Sequence, residues 1–175
     1  MKKTRKIALG GIIAALSLAV MLTAYFPFLT LALPALAGMF LLIIVEEMGV
    51  KWALLVYAAI ALLSMLLCEK EAAVMYVFLF GPYPVFKGIL DRLHPRVVRI
   101  LVKFICLNAA AALGYLLVIW VFQVPVDQMG MVGEYGPLIL LGMLNIAFGP
   151  YDYCLSSALV WYRCRMRAKL LRLLR

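Results

Sequence analysis

The stretch AAVMYVFLFGPYPVFKGIL, residues 72–90, decides how this chain is read. It carries a single charge, Lys87, in 19 positions. At about 1.5 Å of rise per residue, such a helix crosses a hydrocarbon core roughly 30 Å thick. Its middle is Phe80-Gly81-Pro82-Tyr83, and the same tetrapeptide returns as Phe148-Gly149-Pro150-Tyr151 in another apolar stretch. Proline removes a backbone donor and clashes with the carbonyl four residues back, while glycine weakens the helix beside it. Inside hydrocarbon the freed groups need partners, so broken backbone is tolerated only against protein or a polar cavity. Two helices broken at Gly-Pro are therefore expected at the centre of the molecule.

Composition extends this reading to the whole chain. Of 175 residues, 67% are hydrophobic and 14% are charged. So little polar surface could not cover a soluble domain, and the class is integral membrane, all-α. Lys and Arg outnumber Asp and Glu by 17 to 8, an excess that can signal nucleic acid. Here the basic residues sit between apolar runs and at the ends, with no recognition-helix, RNP or zinc-finger pattern, so no nucleic-acid partner is expected. Cys68, Cys106, Cys154 and Cys164 lack CxxC spacing, which argues against a disulfide framework or a metal site.

Taken in order, the chain predicts a bundle of six transmembrane helices in one domain, 1–175, with basic tails 1–6 and 163–175. Span 1 runs from Ile7 to about Phe26, too long for a secretory signal. Pro27 and Pro34 bracket a link, and span 2 continues to Val45. Glu46, Glu47 and Lys51 mark a solvated turn around Gly49. Span 3 covers about Trp52–Leu67, span 4 Ala72–Leu90, span 5 about Ile100–Val124 and span 6 about Pro137–Tyr162. The side holding both termini carries 16 of the 17 Lys and Arg residues. The positive-inside rule then puts the N and C termini in the cytoplasm of a multi-pass plasma-membrane protein. Leucines between basic residues in 168–175 suggest an amphipathic helix on the anionic inner leaflet.

This topology sets Pro82 and Asp152 at similar depth, each about 15 Å from its span's end. Asp152 is the sharpest candidate for substrate binding, since an intramembrane carboxylate is either paired or protonated. No Lys or Arg is expected at its depth. It could meet a cationic or amine-bearing substrate, carry a proton, or bond backbone donors freed near Pro150. Tyr151 and Tyr83 could add ring faces and hydroxyls. Asn145 is a further candidate, although interhelical hydrogen bonding is the default for it and for Asn108. Gly11, Ala15 and Ala19 form a small-residue stripe at helical spacing, suited to internal packing or to a partner subunit. Glu46-Glu47 with Lys51 outlines the EExxxR motif of intramembrane proteases, but the membrane histidines of those enzymes are missing. HExxH, GxSxG and the Walker lysine are absent too, so neither an enzyme nor a cofactor is expected.

Two segments carry a family resemblance. Lys6-Ile7-Ala8-Leu9 leads into Ala15-Leu16-Ser17-Leu18-Ala19, and Leu33-Pro34-Ala35-Leu36-Ala37-Gly38 opens span 2. With the six-span layout they resemble the substrate-binding S components of energy-coupling factor (ECF) transporters. The resemblance implies a bacterial protein that binds a vitamin or other micronutrient from outside. It further implies a membrane coupling subunit and a pair of cytoplasmic ATPases as partners. Ala15 and Ala19 would face the coupling subunit, and the links Phe26–Pro34 and Val126–Tyr135 would help close the pocket. No substrate signature for thiamine, riboflavin or biotin is present. The alternative is a structural or assembly protein, similar in size and helix count to the cell-shape protein MreD.

Overall fold

The structure is a computed structural model that describes residues 3–25, 31–92, 94–122 and 136–167. The outer links, apart from residues 31–34 of the first, and the tail 168–175 lie outside the described residues. Among those described the chain is all-helical, with no strand. The helices are α1 (Lys3–Leu22), α2 (Ala32–Met48), α3 (Val50–Leu67), α4 (Lys70–Met75), α5 (Pro82–Leu90), α6 (Arg96–Phe122) and α7 (Gly136–Trp161). A π-helical turn, Tyr76–Phe80, joins α4 to α5, and another, Tyr162–Met166, extends α7. Among the described residues, four segments are long and apolar enough to cross a membrane: Lys3–Leu22, Val50–Leu67, Lys70–Leu90 and Arg96–Leu117. Leu55, Leu62 and Leu66 project outward from α3, Leu66 being 74% exposed. Such faces suit hydrocarbon better than water.

The chain forms two compact units, Met1–Lys87 with Tyr153–Arg175, and Gly88–Asp152. In the first unit α1, α2 and α3 pack together. Leu9, Ile13, Ser17 and Met21 recur every fourth residue on α1 and are all buried, as are Ala37, Leu41 and Ile44 on α2. Ser17 Oγ donates to the Ala37 carbonyl at 3.3 Å, satisfying the one hydroxyl on that buried face of α1. Gly10 lets α1 approach α3, because a Cβ there would lie 3.1 Å from Val56 Cγ2.

The first Gly-Pro break shows how the backbone is repaired. In an α-helix the Val77 carbonyl would accept from the N–H of residue 81. The Gly81 N–H goes instead to the Tyr76 carbonyl at 2.7 Å, the π-type bond. Pro82 has no N–H to offer in its place. The orphaned Val77 carbonyl takes the Tyr57 hydroxyl, donated from α3. Tyr57 can reach it only because residue 81 is glycine: a Cβ there would collide with Tyr57 Cε2 and lie 2.8 Å from the Tyr76 carbonyl oxygen. The Tyr76 ring sits 6.2 Å from that of Tyr57, and its buried hydroxyl has no partner among the described residues. The break is thus closed by protein rather than left open to a cavity.

The acidic pair is not the solvated turn expected of it. Glu46 and Glu47 end α2 and hold the far end of the α7 segment. Arg163 donates to Glu46 through Nε and Nη2, both at 2.8 Å. Glu47, whose side chain is 4% exposed, accepts from Arg167 Nε at 3.0 Å and from the Tyr162 hydroxyl at 3.2 Å. The π-turn over 162–166 shifts the helical phase just where these side chains must point. Nearby in sequence, Lys6 Nζ lies 5.6 Å from the centroid of the Trp52 ring, so the start of α1 meets the start of α3. The start of α1, the α2–α3 turn and the end of the α7 segment therefore share one end of this unit.

Three substitutions test these contacts. Tyr57→Phe should cost about 1–3 kcal/mol in detergent unfolding, by leaving a buried carbonyl unpaired. Tyr76→Phe should cost almost nothing, because no bond is lost. The Arg163 hydrogen bond holds the Glu46 carboxyl below the ordinary range, against opposing burial, with the Arg163 and Arg167 charges assisting. A lowered folded pKa adds stability that is present at neutral pH and lost as the pH falls through that lowered value. Glu46→Gln should accordingly flatten the acid limb of the stability–pH profile.

Candidate functional site

The second unit brings α6 and α7 together through three antiparallel pairs. Farthest along α6 is Asn108, facing Asn145. Each Nδ2 donates to the other's Oδ1, at 3.1 and 3.0 Å. Each also donates back to its own helix, to the Phe104 and Leu141 carbonyls, both at 2.8 Å. One turn back, Phe104 and Phe148 meet edge to face, with centroids 5.5 Å apart. Beyond them Lys103 Nζ lies 2.9 Å from Asp152 Oδ2 and 2.6 Å from Asp91 Oδ1. Asp91 lies between α5 and α6, and its carbonyl accepts from Arg99 Nη1 at 3.4 Å.

This arrangement corrects two expectations. Asp152 is not without a cation at its level, since Lys103 is there. Helix α6 starts at Arg96 rather than near Ile100, which carries Lys103 two turns, or about 10 Å, into the helix. The pair is largely withdrawn from solvent, with side-chain exposures of 7% for Lys103 and 26% for Asp152. Nor is the second Gly-Pro a break. Helix α7 continues from Gly136 to Trp161 with Pro150 inside it. Proline deletes the one bond to the carbonyl four residues back. The helix is fastened to α6 on both sides of that defect, by Asn145 and Phe148 before it and Asp152 after it. The same tetrapeptide therefore has two fates, set by what lies beside it.

The remaining candidates fall as follows. Tyr151 is half-buried on α7 beside Asp152. Asn145 devotes both of its amide N–H groups to Asn108 and Leu141, so interhelical bonding is its role here. Tyr83 lies on α5 in the other unit, with Lys87 Nζ 5.9 Å from its ring centroid. Gly11, Ala15 and Ala19 are all exposed on α1, and a Cβ on Gly11 would meet nothing within 4 Å. Among the described residues, that stripe takes no part in internal packing. The sequence reading missed Lys103, Asp91 and the buried Lys87. Lys103 was discoverable, because a helix begun at Arg96, just after Pro95, carries it two turns in instead of leaving it at the span's start.

No family model, curated protein or solved structure matches the chain.

Removing one partner of a largely buried ion pair strands the other charge. Lys103→Met should cost about 3 kcal/mol in unfolding experiments. Adding Asp152→Asn should restore part of that loss, with a coupling above about 1 kcal/mol in a double-mutant cycle. Additive effects would show that the pair contributes nothing.

Proposed function

We propose that the chain is a plasma-membrane protein of six spans with both ends in the cytoplasm. Its proposed role is the substrate-binding component of a micronutrient uptake transporter, energised by separate coupling and ATPase subunits. The observation that carries this reading is the sorting of α1 into two faces. Leu9, Gly10, Ile13, Ser17 and Met21 turn inward, whereas Gly11, Ala15 and Ala19 turn outward. A ridge of small residues left unpacked inside the chain lets another membrane helix approach closely. That is the place which the resemblance to S components gives to the coupling subunit. The six-span topology draws support from the charge bias and from the shared end of α1 and the α7 segment, which an even number of crossings requires.

The second reading, an MreD-like scaffold, is favoured by one observation. Asn108, Asn145 and Asp152, the polar groups that could meet a small molecule, are all engaged within the chain. A scaffold needs those contacts only to hold helices together. The two readings separate on the partner. Ala15→Leu with Ala19→Leu should leave the chain's own stability within about 0.5 kcal/mol, because both sites face outward. The same pair should abolish co-purification of a coupling subunit co-expressed with its ATPases. Retention of the complex by the double variant contradicts the proposed role of α1.

A further inference from the structure

We infer that the end of the first unit shared by α1, α3 and the α7 segment binds the headgroups of anionic phospholipids. The inference stands apart from the uptake reading and needs only that the chain spans a membrane. Its basis is a pattern repeated on three helices. Lys3 and Ile7 stand four residues apart on α1, Lys51 and Leu55 on α3, and Trp161 and Arg165 at the end of the α7 segment. All six are exposed, Ile7 and Leu55 at 64% and Trp161 at 54%. Residues four apart on a helix lie on much the same face, about 6 Å from one another along the axis. Helices α1 and α3 start at this end and the α7 segment finishes there, so each cation is the outer member of its pair. Three times, a cation stands one turn outward of an exposed apolar side chain.

The acids at this end do not cancel that charge. Glu46 and Glu47 are both taken up by Arg163 and Arg167. Among the described residues, Lys3, Lys51 and Arg165 make no ion pair. Lys6, between Lys3 and Ile7, adds a further cation over the Trp52 ring, beside Lys51. A cation above an apolar side chain matches a phospholipid, whose phosphate lies outside its acyl chains. A soluble phosphate or a nucleic acid would use the cations but leave Ile7, Leu55 and Trp161 without a partner. A zwitterionic headgroup brings its own cation to the lysines and is attracted less. Anionic lipid fits both halves of the pattern.

The test compares unfolding temperatures of the full-length chain in neutral detergent supplied with dioleoylphosphatidylglycerol or dioleoylphosphatidylcholine. The anionic lipid should give a value about 3 °C or more above the zwitterionic one, as binding to the folded state requires. High salt should remove most of that difference, because exposed charges are screened. Lys3→Gln with Lys51→Gln and Arg165→Gln should unfold normally in phosphatidylcholine, since none of the three is paired, yet lose most of the difference. Lys3→Arg with Lys51→Arg and Arg165→Lys should keep it. Lys169→Gln with Arg172→Gln and Arg175→Gln removes the same number of charges from the tail and should keep more than half. Equal unfolding temperatures in the two lipids overturn the inference. So does an equal loss from the tail variant, which would make overall charge the cause. Inorganic phosphate or an oligonucleotide that reproduces the rise also overturns it, by making the ligand a soluble anion. None of these outcomes bears on the co-purification that tests the uptake reading.

Discussion

A carbonyl stripped of its donor inside hydrocarbon has to find another, and the hydroxyl of Tyr57 on the carbonyl of Val77 is where this fold meets that demand. Much of the first unit is arranged around it. Glycine at 81 gives the ring its place, the π-turn over 76–80 takes up the extra residue, and α3 is held against the α4–α5 segment as a consequence. The contact joins residues 20 positions apart, so it ties two spans together while mending one of them. In water the same break would be solvated and would need no partner.

The second unit answers the same demand with side chains rather than backbone. The Asn108–Asn145 pair closes a reciprocal set of hydrogen bonds, and Lys103 joins two aspartates. Interhelical polar bonds in membranes are worth about 0.6–2 kcal/mol each. Their larger effect is on register, because a slip of one residue would separate all three α6–α7 pairs. The same contacts fasten α7 to α6 on either side of Pro150.

The helical class was legible in the sequence because composition and apolar run length do not depend on partners. Most helix limits fell within a few residues of those expected. Span 4 was recognisable as interrupted, since Gly-Pro acts locally. The outcome at the second Gly-Pro was not legible, because it depends on α6 lying alongside α7. The same limit hid the partner of Asp152. Lys103 was read as standing at the very start of a span from about Ile100, and a helix start four residues earlier carries it two turns in, to the level of Asp152. The Glu46–Glu47 clamp escaped for a related reason, as its arginines lie more than 110 positions away in sequence. Charge alone made that pair look solvated, whereas burial of Glu47 shows otherwise. The α1 stripe was legible as a pattern, but only packing could tell which way it faced.

Sidedness is the claim on which the functional account depends, since it decides which ends of the helices meet substrate and which meet ATPases. Tags fused before Met1 and after Arg175 test it in intact cells with a membrane-impermeant label. The account predicts that neither tag is labelled until the cells are permeabilised, when both are. Labelling of either tag in intact cells would contradict it.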